Sequence, residues 1–378
     1  MDKLNYYEKK LPINVEQFGP WYPGQFVLPG RANFLIDGQF GSTGKGLMAA
    51  YMDKHDKIDI AVSNASANAG HTAIISGEDG FNKTIVCNHL PISGVLNRSN
   101  LIYLCAGSVI DPKILWEEIT KYNVDLNRIK IHPRAAVIIE QDCFKELEPS
   151  SMTTALASTR HGVGQALARK ITREALLAKD CNLLKPLIGE LNLNEWMRQG
   201  NSVFMEIPQG FSLGINSGLS YPYCTSREIS IAQAMSDAQI HPSFLGNVMM
   251  TMRTYPIRVG NIYKDGKQIG WSGPWYPDQT ELEWNMIGVE PEITTVTKRV
   301  RRVASFSMLQ YGLAMDAIKP THVFLNFVNY LTEEKFISLV SNFLKVPSHF
   351  GIGPHVDDVY TVDELTNMFL HLKRGPWK

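Results

Sequence analysis

One stretch constrains this chain more than any other: Asp37-Gly38-Gln39-Phe40-Gly41-Ser42-Thr43-Gly44-Lys45-Gly46. The apolar run Asn33-Phe34-Leu35-Ile36 before it reads as a buried strand, and Leu47-Met48-Ala49-Ala50-Tyr51-Met52 after it reads as the start of a helix. Strand, glycine-rich turn and helix together form a phosphate cradle. The glycines let backbone N–H groups turn toward an anion without Cβ clashes. The helix N-terminus adds partial positive charge and Lys45 a full one. The spacing departs from the usual P-loop: five residues, not four, separate Gly38 from Gly44-Lys45. Gly46 stands where a Ser or Thr would hold Mg²⁺, so a magnesium ligand must come from elsewhere. The plain alternative is a glycine-rich surface turn; the preceding strand and the lysine favour phosphate.

The rest of the chain bounds the class. Its 378 residues allow a large core and, by length alone, two or three domains. Lys plus Arg and Asp plus Glu both number 37, which argues against a partner held by bulk charge, whether nucleic acid or membrane surface. The five cysteines are scattered without a CxxC pair, which suggests free thiols in a reducing compartment. No signal peptide and no run of membrane-spanning length is visible, so a cytoplasmic protein is expected.

Residues 1–31, broken by Pro12, Pro20, Pro23 and Pro29, read as an extended N-terminal arm packed on a body at 32–378. Strands are expected at 58–63, 101–107, 129–131, 135–139, 203–207 and 323–328. Helices are expected at 113–122, 229–237 and 307–318, with a mostly helical C-terminus. This alternation indicates an α/β fold, P-loop-like, with a central, mostly parallel sheet flanked by helices.

Polar groups gather in the turns between these elements. Asn68, His71 and Thr72 sit in a turn crowded with small residues after a strand, where a ligand can approach closely; a lone histidine is otherwise more often structural. Ser158-Thr159-Arg160-His161-Gly162-Val163-Gly164 is a second glycine-spaced loop, and Gln209 and Thr225 stand in a third region dense in Gly and Ser. Lys298, Arg299, Arg301 and Arg302 put four cations within five residues. They form either a solvated basic helix turn or a site for a small polyanion.

In this order the motifs resemble adenylosuccinate synthetase from about residue 32 to 330. The family's opening GxQWGDEGKGK is similar to residues 37–47, its NAGHT stands intact at 68–72, and its STGRGIGP is similar to 158–165. Its EGxQG, YPYVTS and TTGRxRR are similar to 206–210, 221–226 and 295–302. Three positions depart from the family. Ser42 replaces its catalytic Asp (with Thr43 in place of the following Glu), His161 replaces the arginine of STGRG, and Asn326 lies where a guanine-reading carboxylate is usual. These departures resemble the phage branch, which makes a diaminopurine precursor from dGMP.

The resemblance implies a Mg²⁺-dependent C–N ligase that condenses dGMP with L-aspartate. ATP or dATP is the donor, and the intermediate carries a phosphoryl group on purine O6. An ordinary IMP-using synthetase, or a binding module that has lost catalysis, are the rival implications. Catalytic roles fall on Ser42, Lys45, His71 and Gln209. The triphosphate falls to Gly41, Ser42, Thr43, Gly44, Lys45, Gly46, Gly70, His71 and Thr72, its base to Asn326, and Mg²⁺ to Ser42 and Gly70. The monophosphate falls to Ser42, Asn68, Ala69, Ser158, Thr159, Gln209 and Thr225, with Arg173 reaching that of a neighbouring subunit in a homodimer. The aspartate loop supplies Val296, Thr297, Arg299, Arg301 and Arg302. The location implied is the host cytoplasm if the gene is phage-borne.

Overall fold

The computed structural model describes residues 25–77, 80–148, 152–294, 298–343 and 347–365. Its frame is a nine-stranded sheet. In chain order the strands are β1 (Ala32–Asp37), β2 (Ile60–Ser63), β3 (Leu101–Leu104), β4 (Ile129–Ile131), β5 (Val203–Glu206), β6 (Leu245–Arg253), β7 (His322–Asn326), β8 (His349–Gly351) and β9 (Val359–Thr361). The spatial order is β9-β8-β7-β6-β1-β5-β2-β3-β4, and every pair is parallel except β8 with β9.

β1 is buried along its whole length, as a strand covered on both faces must be. Phe34 and Ile36 pack into one core with Val62, Met205 and Tyr311; Leu35 points the other way, into a second core with Met48, Met52 and Phe204. The helices α1 (Lys45–His55), α2 (Pro112–Tyr122) and α3 (Val163–Ile171) flank this frame. Asp111 caps α2, its carboxylate accepting from the N–H groups of Lys113 and Ile114. β1 runs straight into the glycine-rich turn, so that turn stands at the carboxyl ends of parallel strands, where open α/β sheets place their ligands.

The differences from the sequence expectations are informative. β6, the longest strand, is built on Val248-Met249-Met250-Thr251-Met252, a methionine-rich run that propensity passes over. His71–Ser76 is not turn but strand, paired with Asn82–Cys87 in a hairpin. The C-terminus is mixed: Glu333–Val340 is helical, but β8 and β9 extend the sheet. The cation cluster is no helix turn, because Arg302 opens the strand Arg302–Ala304. Residues 25–31 do pack on the body: Phe26 and Val27 are buried, and their N–H groups donate to the Asp56 carboxylate at 2.6 and 2.9 Å. The remainder of the expected arm lies outside the described residues, as do Val296 and Thr297.

Candidate active site

The turn after β1 is organised from below by Asp37, which is fully buried. One carboxylate oxygen accepts from the N–H of Gln39 (2.7 Å) and of Gly41 (3.3 Å); the other accepts from Thr43 Oγ1 (2.6 Å) and Lys45 Nζ (3.3 Å). A buried carboxylate needs this many donors, and stripping its partners costs about 3–5 kcal/mol. Lys45 Nζ also donates to the Gln209 carbonyl at 2.8 Å. Gly44, at φ 88°, begins α1 in a left-handed conformation that glycine adopts without strain. Thr43 is buried with its hydroxyl committed to Asp37 and, at 2.6 Å, to the Thr251 hydroxyl. Ser42 is exposed at φ 58°. Its carbonyl accepts from Arg253 Nη1 (3.1 Å), and its hydroxyl has no hydrogen-bond partner among the described residues.

Above this loop opens a cavity of about 420 Å³. Ser42, Lys45, Asn68, Ala69, Gly70, His71, Ser158, Thr159, His161, Gln209, Thr225 and Arg301 all line it, from segments spread along most of the chain. Gln209, at φ 68°, lines the cavity while its carbonyl holds Lys45. Gly210 beside it allows the close crossing, since a Cβ there would stand 2.4 Å from the Gln39 carbonyl. Arg301 is nearly buried: burial pushes its guanidinium down to about 10, and Glu292, with an oxygen 3.9 Å from its Nε, pulls the other way.

Other expected site residues lie elsewhere. Asn326 is 1% exposed, and its amide Nδ2 donates to the Thr43 carbonyl at 2.7 Å. It supports the loop from beneath and does not line this cavity. Thr72 lies outside the cavity with its backbone against Gly46. Arg299 ties the backbone carbonyls of Gly260, Ala157 and Ser158 together. Arg302 forks onto Glu281 at 2.7 and 2.6 Å and does not reach this cavity. Arg173 is exposed just beyond the C-terminus of α3, away from the cavity of its own chain.

Three supporting residues are missing from the expected site. Asp37 carries a local signal: its carboxylate accepts the N–H two residues on, the usual behaviour of Asx before a turn. Glu146, whose carboxylate accepts from the N–H groups of Gly162 and Gly164 at the head of α3, is long-range and leaves no trace in sequence. The same holds for Arg253, fully buried, with its guanidinium 3.8 Å from the Phe327 ring centroid and paired with Glu292.

The adenylosuccinate synthetase family model matches residues 34–187 and 182–349. The chain belongs to that family. It is therefore a ligase that forms C–N bonds. It is 36% identical over 364 residues to the N6-succino-2-amino-2′-deoxyadenylate synthase of Salmonella phage PMBT28, covering 87% of this chain and 97% of the relative. It is 37% identical over 374 residues to the protein of the same name from Acinetobacter phage SH-Ab 15497, covering 88% and 94%. Among solved structures it resembles cyanophage S-2L succinoaminodeoxyadenylate synthetase bound to dGMP and dATP as an energy donor. There the TM-score is 0.79 and the identity 33%, over 90% of this chain and 98% of that one. A fully ligated adenylosuccinate synthetase from Plasmodium falciparum shares the fold, with a TM-score of 0.73 at 19% identity, over 88% and 99%.

Proposed function

We propose that this enzyme condenses dGMP with L-aspartate at the expense of ATP or dATP. The products are N6-succino-2-amino-2′-deoxyadenylate, the nucleoside diphosphate and phosphate. The observation that carries this reading is Ser42: a small neutral side chain, free at the cavity wall, where the family's usual carboxylate would stand. It leaves room beside purine N1 for the 2-amino group that distinguishes guanine from hypoxanthine. The dGMP in the cyanophage S-2L structure, a relative of matching length, supports the same choice.

The chemistry asks for two steps. The γ-phosphoryl group moves to O6, turning a poor leaving group into a good one; the aspartate amine then attacks C6 and phosphate departs. Lys45 and the loop N–H groups neutralise charge on the transferring phosphoryl group. His71 hydrogen-bonds the phosphate bridge. Asn68, Thr159, Gln209 and Thr225 hold the monophosphate nucleotide, and Thr297, Arg299 and Arg301 the aspartate carboxylates. Mg²⁺ fits the neutral oxygen donors at the cavity, the Ser42 hydroxyl and the Gly70 carbonyl, and when bound it screens phosphate charge. Exposed Arg173 suits a homodimer in which each subunit completes its neighbour's monophosphate site. Among the described residues no helix is long and apolar enough to cross a membrane, in keeping with a cytoplasmic enzyme.

Mass spectrometry of products formed from dGMP, aspartate and ATP tests the reading. A succinyl adduct of the dGMP base is expected. Adduct from IMP alone would make this an ordinary adenylosuccinate synthetase, and adduct from neither nucleotide would make it a binding module.

A further inference from the structure

The histidine in the cavity is held by a carboxylate that has no role in the scheme above. His71 Nδ1 lies 3.0 Å from Glu206 Oε2, and Glu206 is 1% exposed at the end of β5. The other oxygen, Oε1, accepts twice from one residue: from the Ser93 N–H at 3.0 Å and from the Ser93 hydroxyl at 2.9 Å. Ser93 is itself fully buried. The carboxylate is thus pinned at one end by a backbone donor that cannot rotate and cannot become an acceptor. At its other end it can only accept, so the ring carries its proton on Nδ1. The remaining nitrogen, Nε2, is buried and has no hydrogen-bond partner among the described residues, while the ring lines the cavity beside Gly70 and Lys45.

We infer that Glu206, locked by Ser93, is a positioning residue that fixes the His71 ring and its Nδ1–H tautomer. With Nδ1 so committed, Nε2 is the ring nitrogen left for a ligand. The geometry also dictates what a conservative change does. In Glu206→Gln the fixed Ser93 N–H demands the amide oxygen, so the amide NH₂ must face Nδ1. Nδ1 then has to accept, and the ring proton moves to Nε2. An isosteric substitution therefore reverses the tautomer without removing any side-chain volume.

This inference rests on the proposed role of His71 for its catalytic part only; the tautomer is a property of the nucleotide-free protein. The test is ¹⁵N NMR of the histidine ring in the wild type and in Glu206→Gln, alongside turnover with dGMP, aspartate and ATP. The wild type should carry the Nδ1 proton, the variant the Nε2 proton, and turnover should fall by about 10- to 100-fold, as when an orienting partner is lost. An Nε2 proton in the wild type overturns the inference, whether or not the variant folds. So does an unchanged tautomer in a folded variant, or a reversed tautomer with unchanged turnover. If the wild type turns over IMP and not dGMP, the substrate assignment fails, and the tautomer result still decides the role of Glu206.

Discussion

A Cβ placed on Gly46 would stand 2.3 Å from the carbonyl oxygen of Thr72. The first turn of α1 therefore lies directly on the backbone of the neighbouring hairpin, and no side chain fits between them. This accounts for the missing magnesium-binding hydroxyl of the usual P-loop in steric terms. Gly46→Ser restores the common motif on paper, yet it should destabilise the protein by about 1–3 kcal/mol or more through overpacking. A lower midpoint in chemical denaturation, with no gain in magnesium affinity, is the expected result. A variant as stable as the wild type would show that the hairpin yields.

Ser42 offers the sharpest test of nucleotide choice. Its φ of 58° is one that Asp tolerates better than most residues, so Ser42→Asp should fold. The added carboxylate crowds a 2-amino group at a cost of about 1–3 kcal/mol, or roughly one to two decades in rate. Measured kcat/KM should fall for dGMP and hold or rise for IMP. An unchanged ratio would move the selecting wall away from Ser42.

The donor prediction takes a different form once Asn326 is seen beneath the loop. ATP or dATP should support turnover far better than GTP. Asn326→Asp replaces the donor to the Thr43 carbonyl with an acceptor and leaves a buried carbonyl unpaired, a loss of about 1–3 kcal/mol. Weaker binding of every nucleoside triphosphate is expected, without a switch of preference. A variant that prefers GTP would return Asn326 to the base site.

Arg301 lines the cavity with Glu292 as its nearby counter-charge. Arg301→Leu leaves Glu292 paired with Arg253, so the fold should hold. Losing a charge-assisted contact of about 1.5–3 kcal/mol should raise the aspartate KM roughly 10- to 100-fold, with ATP affinity nearly unchanged. Steady-state kinetics with each substrate varied in turn will separate the two, and an unaltered aspartate KM would take Arg301 out of that site.

Burial, with His322 adding a smaller push in the same direction, lowers the His349 imidazole to about 4. The unfolded chain binds that proton near pH 6.5, so folding loses stability as pH falls from about 6.5 toward 4. The loss reaches its full size, on the order of 3 kcal/mol, only below about pH 4, where the folded state takes up the proton too. Phe26, Tyr51 and Phe324 surround the ring, so His349→Phe suits the site. The variant's Tm should fall less than the wild type's between pH 7 and pH 4. Parallel losses would place the acid-labile group elsewhere.

Much of the site was legible because its parts are local. The loop at 37–46, the small-residue turn at 68–72 and the polar residues Gln209 and Thr225 announce themselves by composition, and the structure brings them to one cavity. What sequence left out is set by packing across the sheet. Arg302 and Arg301 are neighbours in one basic cluster, yet of the two only Arg301 lines the cavity, while Arg302, which opens a strand, turns onto Glu281. Asn326 was expected at the donor base from the resemblance of its stretch to the family's guanine-reading segment; its depth below Thr43 depends on the register of β7 against β6. Glu146 looks like an ordinary charged residue until the N–H groups it serves come into view, and the motif that holds Glu206 does not show that it meets Ser93 and His71.

The crossing of Gln209 and Gly210 over the loop has a consequence for recombination between relatives. One residue lines the cavity and gives its carbonyl to Lys45, and the next has no room for a side chain beside Gln39. The cavity wall and the glycine-rich loop are therefore fitted to one another as one piece. A chimaera that takes the first 200 residues from one parent and the rest from another will mismatch that wall, even when each half retains every motif. Hybrids that carry both segments from the same parent should be the ones that survive.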